Sequence, residues 1–194
     1  MKKRIRYIAI FIFLMVCFPV FSEDSVFNFH WTIGTAAISY GDSQTKTLTK
    51  NLSNDDFTRL VLSGELGLSI KLDKSIRFMA GGNLVYDSYI KGSQSAFLID
   101  YAIFGGIRIY PGLGGFNLGL EYNTGRRSNF YNLNSFNSPE SYSTNWGNGF
   151  RFVTEYDFSF NTEGLAPVVG ISYRRMPRGG FADNIFSFYF RLVF

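Results

Sequence analysis

The chain has almost no cysteine. Cys17 is the single cysteine in 194 residues, and it lies within an uncharged apolar run over residues 7–21. The cationic residues 1–6 precede this run, and the polar Ser22 follows it. Because the run is shorter than the ~20 residues that a membrane-spanning helix needs, the pattern predicts a secretory signal peptide over residues 1–22 that is cleaved after Ser22.

Two alternatives remain for this N-terminal segment: an uncleaved membrane anchor and lipid attachment at Cys17. A lipoprotein signal places small residues before the modified cysteine, whereas Met15 and Val16 precede Cys17 here. Once residues 1–22 are removed, the mature chain over residues 23–194 has no thiol, which excludes disulfide bonds and thiolate metal sites.

The mature region also lacks net charge. Four of the 19 Lys and Arg residues lie in residues 1–6, which leaves 15 positive charges to meet 15 Asp and Glu residues. A protein that binds nucleic acid needs a basic surface against the phosphates. The neutral balance therefore predicts that nucleic acid is not a partner.

Apolar residues at helical spacing are missing after residue 22, and alternation with a period of two takes their place. In residues 59–72, Leu60, Leu62 and Leu66 alternate with polar residues such as Arg59 and Glu65. Successive side chains of a strand point to opposite faces, so each segment has one apolar and one polar face. Eight segments show this pattern: 27–40, 59–72, 76–89, 96–110, 116–124, 146–160, 167–175 and 185–194.

The lengths of the segments and of their connections indicate a membrane protein. Most segments exceed the ~5–6 residues of a soluble strand and reach the ~9–11 residues that a transmembrane strand needs. The long connections, 41–56, 125–145 and 176–184, all follow odd-numbered segments, as the external loops of outer-membrane barrels do. The sequence thus predicts an all-β fold, an eight-stranded antiparallel up-and-down transmembrane β-barrel over residues 23–194.

The polar faces of these segments carry both signs of charge. An eight-stranded barrel is just wide enough for side chains to fill its lumen, and buried charges need partners. A paired charge network that plugs the lumen is one interpretation, and a narrow conduction path is the other. The predicted inward set is Arg59, Glu65, Lys71, Arg77, Asp87, Asp100, Arg108, Glu121, Arg151, Glu155, Asp157, Arg174 and Arg191.

The C-terminal segment ends in Phe194 and has aromatic or apolar residues at the alternate preceding positions 186, 188, 190 and 192. In this it resembles the last strand of small bacterial outer-membrane barrels of the OmpA/OmpX and opacity-protein type. That resemblance implies a signal for the barrel-assembly machinery, which becomes an expected partner along with the membrane lipids. It implies a monomeric outer-membrane protein that acts as a structural or surface-interaction protein, adhesin-like, with an external ligand at its long loops. A porin-like channel for small solutes is the alternative, and OmpW-type barrels are a second, weaker resemblance. The matching residues are Phe186, Phe188, Phe190, Leu192 and Phe194.

Histidine is nearly as scarce as cysteine. His30 is the only one, it lies early in the first segment, and the chain contains no His-x-Ser triplet. Outer-membrane enzymes that resemble this fold use a His with a Ser near the outer leaflet, and a general base needs a partner within hydrogen-bond reach. We therefore expect no enzymatic activity, no cofactor and no metal site.

Four arginines near the expected external rim form a candidate contact for anions. They can bind anionic lipid headgroups or an external polyanion, or they can be solvated loop charges. These residues are Arg126, Arg127, Arg175 and Arg178.

Overall fold

The computed structural model describes residues 26–134, 138–158 and 167–193. The predicted signal peptide with Cys17, and the terminal Phe194, lie outside the described residues. The elements within the described residues are β1 (Phe27–Ser39), α1 (Ser43–Asn54), β2 (Thr58–Asp73), β3 (Ile76–Lys91), β4 (Gln94–Ile109), β5 (Phe116–Asn132), β6 (Glu140–Ser143), β7 (Gly147–Asp157), β8 (Val168–Pro177) and β9 (Ala182–Val193).

Eight of these strands close into an antiparallel barrel, and β6 pairs only with the upper end of β5. Following paired residues once around the barrel from Phe27 leads back to β1 at Ala37, ten residues further along. This stagger is the tilt that lets a sheet close on itself. The ring of paired residues is wholly apolar or aromatic: Phe27, Ile70, Phe78, Ile107, Leu120, Phe152, Tyr173, Phe186 and Ala37.

Alternation along each strand separates an apolar outer face from a polar lumen. In β9, Phe186, Phe188 and Phe190 are exposed, whereas Ser187 and Arg191 between and beyond them are buried. An exposed apolar belt of this kind is typical of a surface that faces lipid. The predicted eight-stranded transmembrane barrel fold is confirmed.

The first long connection differs from the prediction, because it contains the helix α1. The buried residues of α1 are Thr45, Thr49 and Leu52. Because only one of the three is apolar, the sequence shows no apolar pattern that predicts this helix. Tertiary packing stabilises such a helix more than its own propensity does. No helix among the described residues has the length and the apolar character needed to span a bilayer.

The second long connection is shorter than predicted. β5 continues to Asn132 and stays paired with β4 as far as Ser95. Polar residues from Arg126 onward suggested a loop, but a strand that rises above the apolar belt can carry polar residues on both faces. At this end of the barrel the wall is therefore highest at β3, β4 and β5.

α1 closes the end of the barrel that carries the long connections, through a small hydrophobic core. Inward-facing apolar residues at the tops of β3, β4 and β5 meet Leu52 of α1, with Leu48 and Phe57 packed at the edge. The helix is thus held over the lumen by burial of apolar surface. The buried members of this core are Tyr40, Leu52, Tyr89, Ala96, Leu98, Tyr131 and Leu133.

Candidate functional site: the charged lumen and its cap

Arg108 is the centre of the lower lumen. Its Nη2 lies 2.5 Å from Glu121 Oε1, and its Nε lies 3.3 Å from Glu155 Oε2. Glu155 also accepts hydrogen bonds from Arg191 Nη2 at 2.7 Å and from the Tyr189 hydroxyl at 2.6 Å. All five side chains are buried, so each charge depends on its partners rather than on water.

A second arginine carries the network across the barrel. Arg151 on β7 donates to Glu121 on the neighbouring β5 and to Glu65 on β2 at the opposite side. Glu65 Oε1 also lies 3.1 Å from His30 Nε2. His30 is therefore buried in the lumen beside Glu65, a carboxylate that also binds Arg151.

The upper lumen is organised around two aspartates. Asp100 accepts from Arg174 Nη2 at 2.5 Å and from Arg178 Nη2 at 2.6 Å. Asp183 accepts from Arg178 and from Arg127. Asp100 lies on β4, whereas Arg174 lies on β8 and Arg178 directly follows β8. These ion pairs therefore cross the lumen.

The remaining predicted charges lie nearer the two ends. Asp87 binds Arg59 through two hydrogen bonds of 2.9 Å. Arg77 Nη1 lies 3.7 Å from Asp157 Oδ2. Lys71 is exposed at the lower rim. The structure therefore brings most of the predicted charges together inside the barrel and leaves Lys71 at its mouth.

Side chains fill the middle of the lumen. The cavity at this level has a volume of about 20 Å³, which is about the space that one water molecule needs. Its lining includes Thr32, Asn83 and Ser187 together with the network residues Glu65, Arg151 and Arg174. This polar, closed interior is the main chemical feature of the described barrel.

The cap is fastened to the top of the network. Asp42 begins α1 as its N-cap and accepts from the Thr45 backbone N–H at 2.7 Å and from Arg127. Thr45 Oγ1 lies 2.7 Å from the Tyr142 hydroxyl of β6. Burial acts to raise the pKa of Asp42, but the hydrogen bonds from Thr45 and Arg127 outweigh it and lower this pKa.

The structure corrects the expectation that four arginines form one exposed cluster. Arg127 and Arg178 are 1% exposed and bind aspartates in the lumen, whereas Arg126 and Arg175 lie on the outer face. The alternation of β5 and β8 contained the signal for this division. Arg127 shares the parity of the inward Glu121, and Arg178 shares that of Arg174.

The residues predicted as an assembly signal lie on the last strand. Phe186, Phe188 and Phe190 are exposed on the outer face, Leu192 is half-buried, and Phe194 is outside the described residues. Phe188 and Phe190 contact each other edge to face with ring centroids 5.4 Å apart. Their role in assembly stays a prediction.

Comparison with known proteins identifies the fold. No protein-family model and no curated protein sequence matches the chain. Ail, the attachment invasion locus protein of Yersinia pestis, solved with the heparin analogue sucrose octasulfate, superposes with a TM-score of 0.60 at 10% identity, over 88% of this chain and 100% of that one. Neisserial surface protein A superposes with a TM-score of 0.51 at 12% identity, over 87% of this chain and 96% of that one.

The fold is that of a small outer-membrane β-barrel. The resemblance to eight-stranded barrels of this type is thereby confirmed, and identities this low carry the fold alone.

Proposed function

We propose that this protein is a non-conducting, non-enzymatic barrel of the bacterial outer membrane that presents its cap to an extracellular partner. The observation that carries the proposal is the lumen itself. It is filled by buried ion pairs around Arg108, Arg151 and Asp100 and is covered by α1. A solute would have to displace these charges from their partners, which is costly in a low-dielectric interior.

Four further features support the outer-membrane placement and the interaction role. The apolar belt faces outward, and the N-terminal segment is typical of a secretory signal. The cap combines α1 with the raised ends of β4, β5 and β6, and it exposes polar residues of α1 such as Lys46 and Lys50 beside the aromatic Phe130 and Tyr142. The same fold serves a protein named for attachment and invasion.

Conductance tests the closed lumen. We expect purified mature protein in planar lipid bilayers to give no steady single-channel steps, because the cavity at the middle of the lumen holds about one water. The matched variant is Glu121→Ala with Arg151→Ala, which removes two of the side chains that cross the lumen and should admit water and ions. Steady, ion-dependent steps from the wild-type protein would contradict the proposal and favour the alternative, a small-solute channel.

The polar atoms without a partner are the observation that favours this alternative. The Asn117 side chain and Arg191 Nη1 are buried and form no hydrogen bond within the described residues, and buried polar atoms of this kind are commonly satisfied by water. Water at these atoms would make the lower lumen the place where a conduction path begins.

Orientation is tested with an amine-reactive label that does not cross membranes. Lys46 and Lys50 are exposed on α1, and Lys74 is exposed in the turn between β2 and β3 at the opposite end. We expect labelling of Lys46 and Lys50 in intact producing cells, and labelling of Lys74 only after lysis. Labelling of Lys74 alone in intact cells would show the reverse orientation.

The interaction role is tested by adherence. Four exposed residues on the outer side of α1 can be replaced by alanine without changing its buried side: Gln44, Lys46, Lys50 and Asn51. Cells that produce the wild-type barrel should adhere to cultured epithelial monolayers better than cells with this variant. Equal adherence of both, at the level of cells without the barrel, would contradict a role for the cap.

A further inference from the structure

Arg126 and Arg175 differ from the other described arginines in having no carboxylate partner. Every other arginine in the part of the chain that the structure describes lies within 4.0 Å of an Asp or Glu oxygen: Arg59, Arg77, Arg108, Arg127, Arg151, Arg174, Arg178 and Arg191. The neighbours of Arg126 and Arg175 in sequence, Arg127 and Arg174, are among these buried, paired residues. A guanidinium on the outer wall that has no carboxylate partner is available to an anion from outside the protein.

Both arginines lie at the upper edge of the apolar belt. On the outer face of β8, Val169, Ile171 and Tyr173 precede Arg175. With a rise of ~3.3 Å per residue and ~4.8 Å between strands, the stagger of the barrel places Arg126 and Arg175 both about 25 Å above Phe27 along the barrel axis. The apolar band of outer-membrane barrels is about 25 Å tall, so both arginines are at the level of lipid headgroups.

Aromatic side chains hold Arg126 in place at this level. Its Nε donates to the Tyr101 hydroxyl, and its guanidinium carbon lies 5.8 Å from the centroid of the Tyr101 ring. The Tyr101 ring meets Trp146 edge to face at 6.3 Å. Among the described residues, the two Nη atoms have no hydrogen-bond partner, which leaves a planar pair of donors for a further ligand.

Arg175 has a related but simpler setting. It pairs across the strands with Phe150 on one side and with Asn184 on the other. The Asn184 side-chain oxygen accepts from the Tyr173 hydroxyl at 2.7 Å, so this oxygen is already occupied. The Arg175 side chain is exposed on the outer wall.

We propose that Arg126 and Arg175 bind the phosphate groups of an anionic lipid in the outer leaflet. A guanidinium matches a phosphate with two parallel hydrogen bonds, and aromatic stacking suits it better than it suits a lysine. Both side chains point sideways from the barrel wall at headgroup level, so a lipid meets them directly, whereas a soluble polyanion would approach from above. The inference rests on the proposed placement in the outer membrane.

Lipid retention tests the site. Full-length mature protein is reconstituted into vesicles of phosphatidylcholine and diphosphoryl lipid A, extracted in detergent, and its bound lipid is counted by native mass spectrometry. We expect Arg126→Ala with Arg175→Ala to reduce retained lipid A about tenfold, a loss of about 1.4 kcal/mol. Lys46→Ala with Lys50→Ala removes the same charge from the cap and should retain lipid A as the wild type does.

Two further arms separate the explanations. Arg126→Lys keeps the charge but loses the planar pair of donors, and an intermediate retention supports recognition of phosphate by the guanidinium. Equal retention by the wild type and the double alanine variant would overturn the proposal, and loss of soluble heparin binding in that variant would then assign the two arginines to a soluble polyanion instead. The heat-modifiable band on gels shows that each variant is folded, and lysine labelling in cells tests the membrane placement separately.

Discussion

Asp100 lies between two arginines that reach it from the far side of the barrel. Arg174 and Arg178 both donate to it, and all three side chains are buried. Removing one member of a buried ion pair is more damaging than the pair is stabilising, because the remaining charge keeps the cost of leaving water. Arg174 therefore depends on this one carboxylate, whereas Arg178 shares Asp100 and Asp183.

We expect Asp100→Ala to lower the urea midpoint of unfolding in detergent or lipid, with a loss of about 3–5 kcal/mol, because the buried Arg174 loses its carboxylate partner and Arg178 keeps only Asp183. Arg108→Ala should have an effect of the same size, since it leaves Glu121 and Glu155 without their shared cation. Lys74→Ala, in an exposed turn, is the control. Unchanged midpoints for Asp100→Ala and Arg108→Ala would mean that these side chains are solvated.

Glycines on the inner face leave room for large lumen side chains. A Cβ at Gly119 would lie 2.3 Å from Arg108 Nη1 and 2.7 Å from its Cδ. An eight-stranded barrel has little spare volume. The Arg108 side chain therefore occupies the space that a side chain at position 119 would fill.

Gly119→Ala should destabilise the barrel by about 1–3 kcal/mol, because the added methyl group forces the Arg108 guanidinium away from its acids. The measurement is again the urea midpoint. Gly105→Ala is a matched control on the outer face, where the nearest atom to the new Cβ is 3.8 Å away. Equal midpoints for the two variants would show that the lumen has room to spare.

At the scale of elements, α1 is the part of the fold whose own sequence supports it least. It has no acidic residue in its first turn and no basic residue in its last. It depends on the Asp42 cap, on the Arg127 contact and on the burial of Leu52. We therefore expect α1 to unfold locally under conditions in which the barrel stays folded.

Asp42→Ala should release α1 while the barrel stays folded. The substitution removes an N-cap, which costs about 0.5–2 kcal/mol, and also removes a partner of Arg127. We expect trypsin to cleave after Lys46 and Lys50 much faster than in the wild type, with the heat-modifiable band unchanged. Cleavage at the wild-type rate would mean that burial of Leu52 alone holds the helix.

Acid should have the same effect on the wild type. The folded-state pKa of Asp42 is lowered from its ordinary value of 3.8. The Asp42 carboxylate therefore contributes fully to the stability of α1 above about pH 4, and this contribution is lost as the pH falls through the folded-state pKa. Hydrogen exchange, corrected for intrinsic rates, should show loss of protection in α1 over this range. In Asp42→Asn, protection of α1 should no longer depend on pH there; an unchanged acid transition would assign it to another carboxylate.

At the scale of the whole molecule, the last strand joins β1 and closes the barrel. Its outer phenylalanines continue to the terminal Phe194 in the sequence. We expect deletion of Phe194 to reduce the yield of inserted protein, because it shortens the apolar alternation that the assembly machinery is predicted to bind. The readout is the folded band on heat-modifiability gels of membrane fractions. A folded band at normal yield would show that Phe194 is dispensable.

The sequence alone determined the barrel. Alternation is a local property, since it requires only that neighbouring side chains of a strand point to opposite faces, and it survives at 10% identity to Ail. It also determined which charges face inward, as Asp100 and Arg174 illustrate. Extending the same parity along β5 and β8 would have placed Arg127 and Arg178 in the lumen as well.

Only the tertiary structure decided which charges meet. The stagger of ten residues around the barrel sets the height at which each strand presents its side chains, and no single segment contains this quantity. For that reason Asp100 meets Arg174 and Arg178 rather than a neighbour on its own hairpin. The helix α1 could not be predicted from the sequence either. Its stability comes from the packing of Leu52 on the barrel mouth and from the contact of its N-cap Asp42 with Arg127.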